Sequence, residues 1–360
     1  MNTPILTYYG STPEILFSGD LGKALFNLTS KLSLSGKKIG IINWFTLNIN
    51  SSKVENIEQF VKNCDMCFFV SEEILDLYIR SDTDINKLFA MLNKHNVFYL
   101  MYDKKNNLIY EPSEKKTLYL PWFLKSKVYI PKNFIPDMEY KEKQYKFNLL
   151  LGSKKCYRTK LYEELATTPA IYSTYFGHVK YKHTSNTHLD EPDVLNYLIT
   201  QDIENHKLDT IAPISNEDGS YYISHTIPSE IYKNTHFDIV AETLDTENTW
   251  FTSEKTAKPL ATGRFFIWYN SENINGYLKN YNFVLDDYLI EDFDSIVDKS
   301  KRLETVIGVV KNVSVDETLV KHIYKKTKNA RIHNMEVYRS HINNFENKIT
   351  QWVHDCVINK

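Results

Sequence analysis

The chain has 360 residues, 42% of them hydrophobic and 24% charged, with 43 Lys and Arg against 45 Asp and Glu. These are the proportions of a folded globular protein and too apolar for a disordered one. No apolar run reaches the roughly 18 residues of a membrane helix, and Met1-Asn2-Thr3-Pro4-Ile5 has neither the basic start nor the apolar stretch of a secretory signal, so a soluble cytoplasmic protein of two domains is expected.

In chain order, Ile5–Tyr9 reads as a strand and Asp20–Leu32 as a helix, with apolar residues at 21, 24, 25, 28 and 32. Lys38–Asn43 has a buried-strand pattern, Lys53–Asn63 a helical one, and Asp65–Val70 is again a strand. Helices are expected over Ser71–Arg80 and Asp84–Lys94, then a strand over Val97–Met101. Strands alternating with short helices imply parallel pairing. The charged, proline-bearing stretch from Asp103 to Tyr145 reads as an edge and a linker.

The pattern restarts with a strand over Tyr145–Leu151 and a helix over Tyr157–Ala166. Ala170–Phe176 is a strand, Pro192–Asn205 a helix, His236–Ala241 a strand, Ser253–Thr262 a helix, Arg264–Tyr269 a strand and Ile274–Tyr281 a helix. From Asp298 only helical spacing remains, ending in an amphipathic stretch over His333–Val357. The expectation is α/β, with two Rossmann-like halves and a helical tail, divided as 1–140, 141–330 and 331–360, the last helix packing back on the first half.

Several chemistries find no support. Glycine numbers 11, about 3% against a usual 7% or so, and neither G-x-G-x-x-G nor G-x-x-x-x-G-K-[ST] occurs, which removes Walker-type and Gly-rich dinucleotide folds. The eleven histidines form no H-E-x-x-H; His178, His183 and His188, spaced at five, fit neither a helix face nor a metal pair. Two D-x-D triplets, Asp82-Thr83-Asp84 and Asp292-Phe293-Asp294, are what chance supplies in a chain this rich in aspartate, and no metal site is expected. Cys64 and Cys67 form one C-x-x-C without a second pair and run into an apolar strand, so they read as buried structural thiols.

Charge is uneven. Residues 299–360 hold 12 basic and 6 acidic residues, while the rest of the chain is net acidic. Lys321, Lys325, Lys326, Lys328 and Arg331 could meet a polyanion such as nucleic acid; a solvated surface without a partner is the plainer alternative.

Ile239–Tyr269 is the most informative segment. A strand and a loop lead to a helix start where Ser253 can cap, Glu254 complements the dipole, and Lys255 opposes it. A cation at that end is accounted for if a phosphate sits there, with Glu254 accepting from a ribose diol. Gly152-Ser153-Lys154-Lys155-Cys156-Tyr157-Arg158 makes a second candidate, three cations at a strand-to-helix turn with Arg158 able to hold two oxygens. Exposed cations without a ligand would look the same.

Phe237-Asp238-Ile239-Val240-Ala241-Glu242, followed by Phe251-Thr252-Ser253-Glu254-Lys255, resembles the C-terminal half of fucosyltransferase-type and exostosin-like GT-B glycosyltransferases. The apolar helix Thr256–Leu260, the turn Ala261-Thr262-Gly263 and the strand Phe265–Tyr269 continue the likeness to about Val284. It departs at Glu242-Thr243, where fucosyltransferases have Glu-Asn. The resemblance implies a GT-B fold and a nucleoside-diphosphate sugar as donor. Lys255, Lys154, Lys155 and Arg158 would lie on its phosphates, Glu254 on the ribose, Ser253 at the helix cap and Glu242 at the sugar or nucleotide end. No cofactor or metal is needed if cations and dipole stabilise the leaving diphosphate. Retaining GT-B enzymes carry two glutamates eight apart; here Glu247 and Glu254 are seven apart, and inversion is expected. An inverting transferase needs a base; Glu14 or Asp20, in the loop after the first strand, would supply it, although each also suits a surface or cap position. The acceptor would be a glycan or, as for phage-type enzymes, a hydroxylated base in DNA. A catalytically silent nucleotide-binding or assembly protein with the same fold is the alternative.

Overall fold

A computed structural model describes residues 5–9, 16–28, 36–43, 54–70, 82–102, 116–121, 128, 130, 134–151, 155–168, 170–173, 227, 229–242, 250–289 and 291–358. The chain divides into two compact units, one formed by residues 1–125 with 341–360 and the other by 126–340. The expected helices over Ser71–Arg80 and Pro192–Asn205, and the three spaced histidines, lie outside the described residues. No described helix is long and apolar enough to cross a membrane.

In the first unit β1 (Ile5–Tyr9), β2 (Lys38–Asn43), β3 (Met66–Val70), β4 (Val97–Tyr102) and β5 (Thr117–Leu120) form one sheet in that order, every pair parallel. Helices α1 (Leu16–Leu28), α2 (Val54–Lys62) and α3 (Asp82–Leu92) alternate with them. A parallel sheet covered on both faces selects continuous apolar strands, and Met-Cys-Phe-Phe-Val of β3 is buried throughout. One face packs Phe69 and Tyr99 against Phe89 of α3 and Ile57 of α2. On the other, Phe68 meets Phe98 and, edge to face, Trp352 of the tail.

The second unit has a four-stranded parallel sheet in the order β7-β6-β8-β9, from β6 (Tyr145–Leu150), β7 (Ile171–Ser173), β8 (Thr235–Ala241) and β9 (Phe266–Tyr269). With it go α4 (Cys156–Leu165), α5 (Ser229–Asn234), α6 (Glu254–Thr262), α7 (Ile274–Lys279) and α8 (Lys299–Val315). Gly263, at φ 64°, ends α6 in the left-handed conformation open to glycine.

The tail is longer than its periodicity suggests. A single helix, α9, runs over Glu317–Ile358, and its residues up to 340 belong to the second unit. Arg331 is corrected from a surface cation to a core one. It is fully buried and donates to the carbonyls of Asp137 (2.8 Å), Met138 (2.7 Å), Gly263 (3.3 Å) and Tyr324 (3.1 Å). Lys321 and Lys328 remain outside, paired with Glu317 (2.9 Å) and Glu139.

Candidate anion-binding site at the ends of two parallel strands

Strand order reverses between β6 and β8: the chain leaves β6 towards β7 on one side, whereas β8 continues to β9 on the other. In open parallel sheets the crevice at the carboxyl ends of two such strands is where ligands bind, because their following loops turn away from each other. Both cation-bearing segments singled out in the sequence follow these strands, α4 after β6 and α6 after β8.

The start of α6 is built by Glu242, just past the end of β8. Its Oε1 accepts from the Ser253 amide (2.9 Å) and the Thr256 hydroxyl (2.6 Å), and Oε2 from the Ser253 hydroxyl (2.6 Å). Ser253 in turn caps the helix, its Oγ accepting from the Lys255 amide at 3.3 Å. Glu242 is 1% exposed and both its oxygens are engaged. The sequence resemblance put this carboxylate at the sugar or nucleotide end of a cleft; here it fixes the helix start, as a negative charge favoured by the dipole.

In the α4 segment the arginine is likewise tied to the sheet. Arg158 is 1% exposed, and its Nη2 donates to the carbonyl of Ala241 at 2.8 Å. The neighbouring Tyr157 hydroxyl donates to the carbonyl of Glu242. Together they brace the end of β8 rather than standing free around a diphosphate. Lys155 is exposed at the N-cap of α4, and Lys154 lies outside the described residues.

Glu254 and Lys255 are partly accessible, at 17% and 20% of their side chains, and pair at 2.5 Å. They line a small cavity of about 40 Å³ between α6 and the sheet, with Lys258 one turn on, Asn148 and Leu150 of β6, and Asp238 and Val240 of β8. Residues of even number share the face because strand side chains alternate. Lys258 was read in the sequence as part of an apolar helix. Burial lowers its ammonium to about 7, with Glu254 and Asp238 opposing the shift. A lysine three residues after Lys255 was the available signal, since i and i+3 share a helix face.

Beneath the cavity, Asp238 Oδ1 accepts from Asn148 (2.5 Å) and Arg264 Nε (2.9 Å), a buried ion pair completed by Arg264 donating to the Tyr232 carbonyl (2.9 Å) and the Thr235 hydroxyl (3.0 Å). The guanidinium lies 4.0 Å from the centre of the Tyr232 ring.

Of the two expected bases, Glu14 lies outside the described residues, and Asp20 falls within α1, which begins at Leu16, rather than in a loop. The second D-x-D is occupied locally: Asp292 accepts from the Ser295 amide and hydroxyl, and Asp294 from the Trp268 indole and the Asn275 amide, both at 3.0 Å.

No protein-family model matches the chain, and no curated protein matches it. Solved structures that resemble it include an alpha-glucosyltransferase in complex with UDP-glucose and DNA containing an abasic site, at a TM-score of 0.33 and 11% identity over 96% of this chain and 98% of that one. An alpha-glucosyltransferase with UDP and a 13-mer DNA containing an HMU base gives 0.31 and 9%, over 93% and 96%. At these values the likeness assigns neither fold nor activity to this chain.

Proposed function

We propose that the chain is a nucleotide-sugar-dependent glycosyltransferase of GT-B type, with two Rossmann-like domains, metal-independent and inverting. The observation that carries this is the concentration of Glu254, Lys255 and Lys258 beside the point where strand order reverses, with the segment that resembles GT-B donor domains forming that very strand and helix.

In this reading the donor diphosphate meets the first turns of α6. Lys255 neutralises charge as the sugar–phosphate bond breaks, a contribution larger in the transition state than in the ground state. Lys258 supplies a second cation from below, and Glu254 exchanges its pairing with Lys255 for the ribose hydroxyls. Glu242, Ser253 and Arg158 are positioning residues: they hold the end of β8 against α6 so that Lys255 stays in place. Exposed Lys155 meets the outer phosphate, and Lys154 would join it there. Glu14 or Asp20 would accept the proton of the attacking hydroxyl, borne by a glycan or by a hydroxylated base in DNA.

The test is a thermal-shift panel of UDP-, GDP-, CMP- and ADP-sugars on the wild type and on Lys255→Ala, followed by donor turnover with glycan and with hydroxymethylated duplex. Stabilisation by one nucleotide class, lost in the variant, supports the donor site; no response to any of the four removes it. Binding without transfer or donor hydrolysis would leave the chain a nucleotide-binding protein.

A further inference from the structure

The C-x-x-C of the first unit takes no part in the site above. Cys64 sits in the turn after α2, and Cys67 is the second residue of β3. In the sheet register Thr7 pairs with Gly40 and Gly40 with Cys67, so these three form one row across β1, β2 and β3 on the same face. Cys64 reaches over that row, its sulfur 3.7 Å from the Thr7 hydroxyl. A Cβ added to Gly40 would stand 2.6 Å from Cys67 Sγ and 2.9 Å from Cys64 Sγ. The glycine in this buried strand therefore makes room for two sulfurs that converge on the place of its missing side chain, beside the Phe60 ring, whose Cε1 would stand 2.8 Å from the same Cβ.

We infer that Cys64 and Cys67 form a reversible intramolecular disulfide, with a low-molecular-weight disulfide as oxidant. Cys64, partly exposed, reacts first; Cys67 is fully buried, and burial and the neighbouring Cys64 push its thiol up. The Cys64 thiol gives up its proton, its sulfur attacks one sulfur of the small disulfide, and one small thiol leaves with a proton. Cys67 then loses its proton and attacks the Cys64 sulfur, breaking the mixed disulfide and releasing the second small thiol. Two protein thiols are oxidised by two electrons, and one small disulfide is reduced to two thiols. The second step is fast relative to capture in solution because the partner is already adjacent.

The experiment treats the folded full-length chain with oxidised glutathione, quenches in acid, alkylates remaining thiols and maps each cysteine by mass spectrometry. Cys64 and Cys67 are expected to lose alkylation together, with a loss of two hydrogens and no glutathione on either, while exposed Cys156 carries a glutathione. Cys67→Ser should leave glutathione stably on Cys64. The inference is overturned if Cys64 in the wild type keeps its glutathione as it does in the variant, or if both thiols stay alkylatable once Cys156 has reacted.

Discussion

The two units solve the same packing problem differently. In the first, the polar residue among the buried described residues is Asn43, and the sheet is apolar on both faces. In the second, the core holds Arg158, Asp238, Glu242, Lys258, Arg264 and Arg331, each buried. Burying charge costs several kcal/mol per ion unless it is paired and hydrogen-bonded, so the second unit has less to gain in stability from this arrangement. Of the six, Asp238 and Lys258 line the cavity beside the reversal between β6 and β8, whereas Arg331 lies at the other end of α6, on the carbonyl of Gly263.

The comparison can be broken at its extremes. Arg264→Ala leaves Asp238 buried without its cation and should lower stability by about 3–5 kcal/mol, measured by urea unfolding. Arg264→Met combined with Asp238→Leu should lie closer to wild type, because an apolar pair needs no compensation. In the first unit, Phe69→Ala should lose a similar ~3–5 kcal/mol through a cavity alone, with no partner change able to restore it. If the double variant is no better than Arg264→Ala, the charge pair is not what sets the second unit apart.

Lys255→Ala should lower sugar transfer by about 100-fold and shift stability by under ~0.5 kcal/mol, since its side chain is partly exposed. Equal losses of activity and stability would recast it as structural. Ser253→Ala removes a cap and one partner of Glu242, and should cost about 1 kcal/mol.

A further contrast is in pH. His236, stacked on Tyr140 at an interplanar angle of 9°, is held by burial and nearby Lys143 at about 4. The unfolded chain therefore binds more protons between pH 4 and its ordinary 6.5, and stability should rise with pH across that window. Lys258, lowered to about 7, adds a second rise from pH 7 towards 10.5 for the same reason. Melting curves of His236→Phe should flatten the first window and leave the second, and Lys258→Met should reduce the second without abolishing it, because burial also lowers Lys143, to about 8.

Much of this was legible in the residues. The apolar runs of β2 and β3, the alternation with helices, and the Ser253 cap of α6 follow from period, burial and local hydrogen bonding, which act within a few residues. Arg331 was not legible, and Lys258 only through its spacing from Lys255. A lysine inside a nine-residue helix and an arginine in a basic tail look the same whether they face water or a core, and only carbonyls of residues 137, 138 and 263 converging on Arg331 make it internal. The burial of Arg158 was not legible for the same reason, its acceptor lying 83 residues away.

The sequence by itself determined most of the elements, β5 and α5 excepted, their parallel character and the chemical identity of the α6 start, because period and capping are written in neighbouring residues. The tertiary structure alone decided the strand order with its reversal, which of the many cations are buried, and that Glu242 closes on Ser253 and Thr256. Those outcomes depend on what distant segments present to one another, and desolvation, which sets the worth of every charge in the site, is fixed only once they have met.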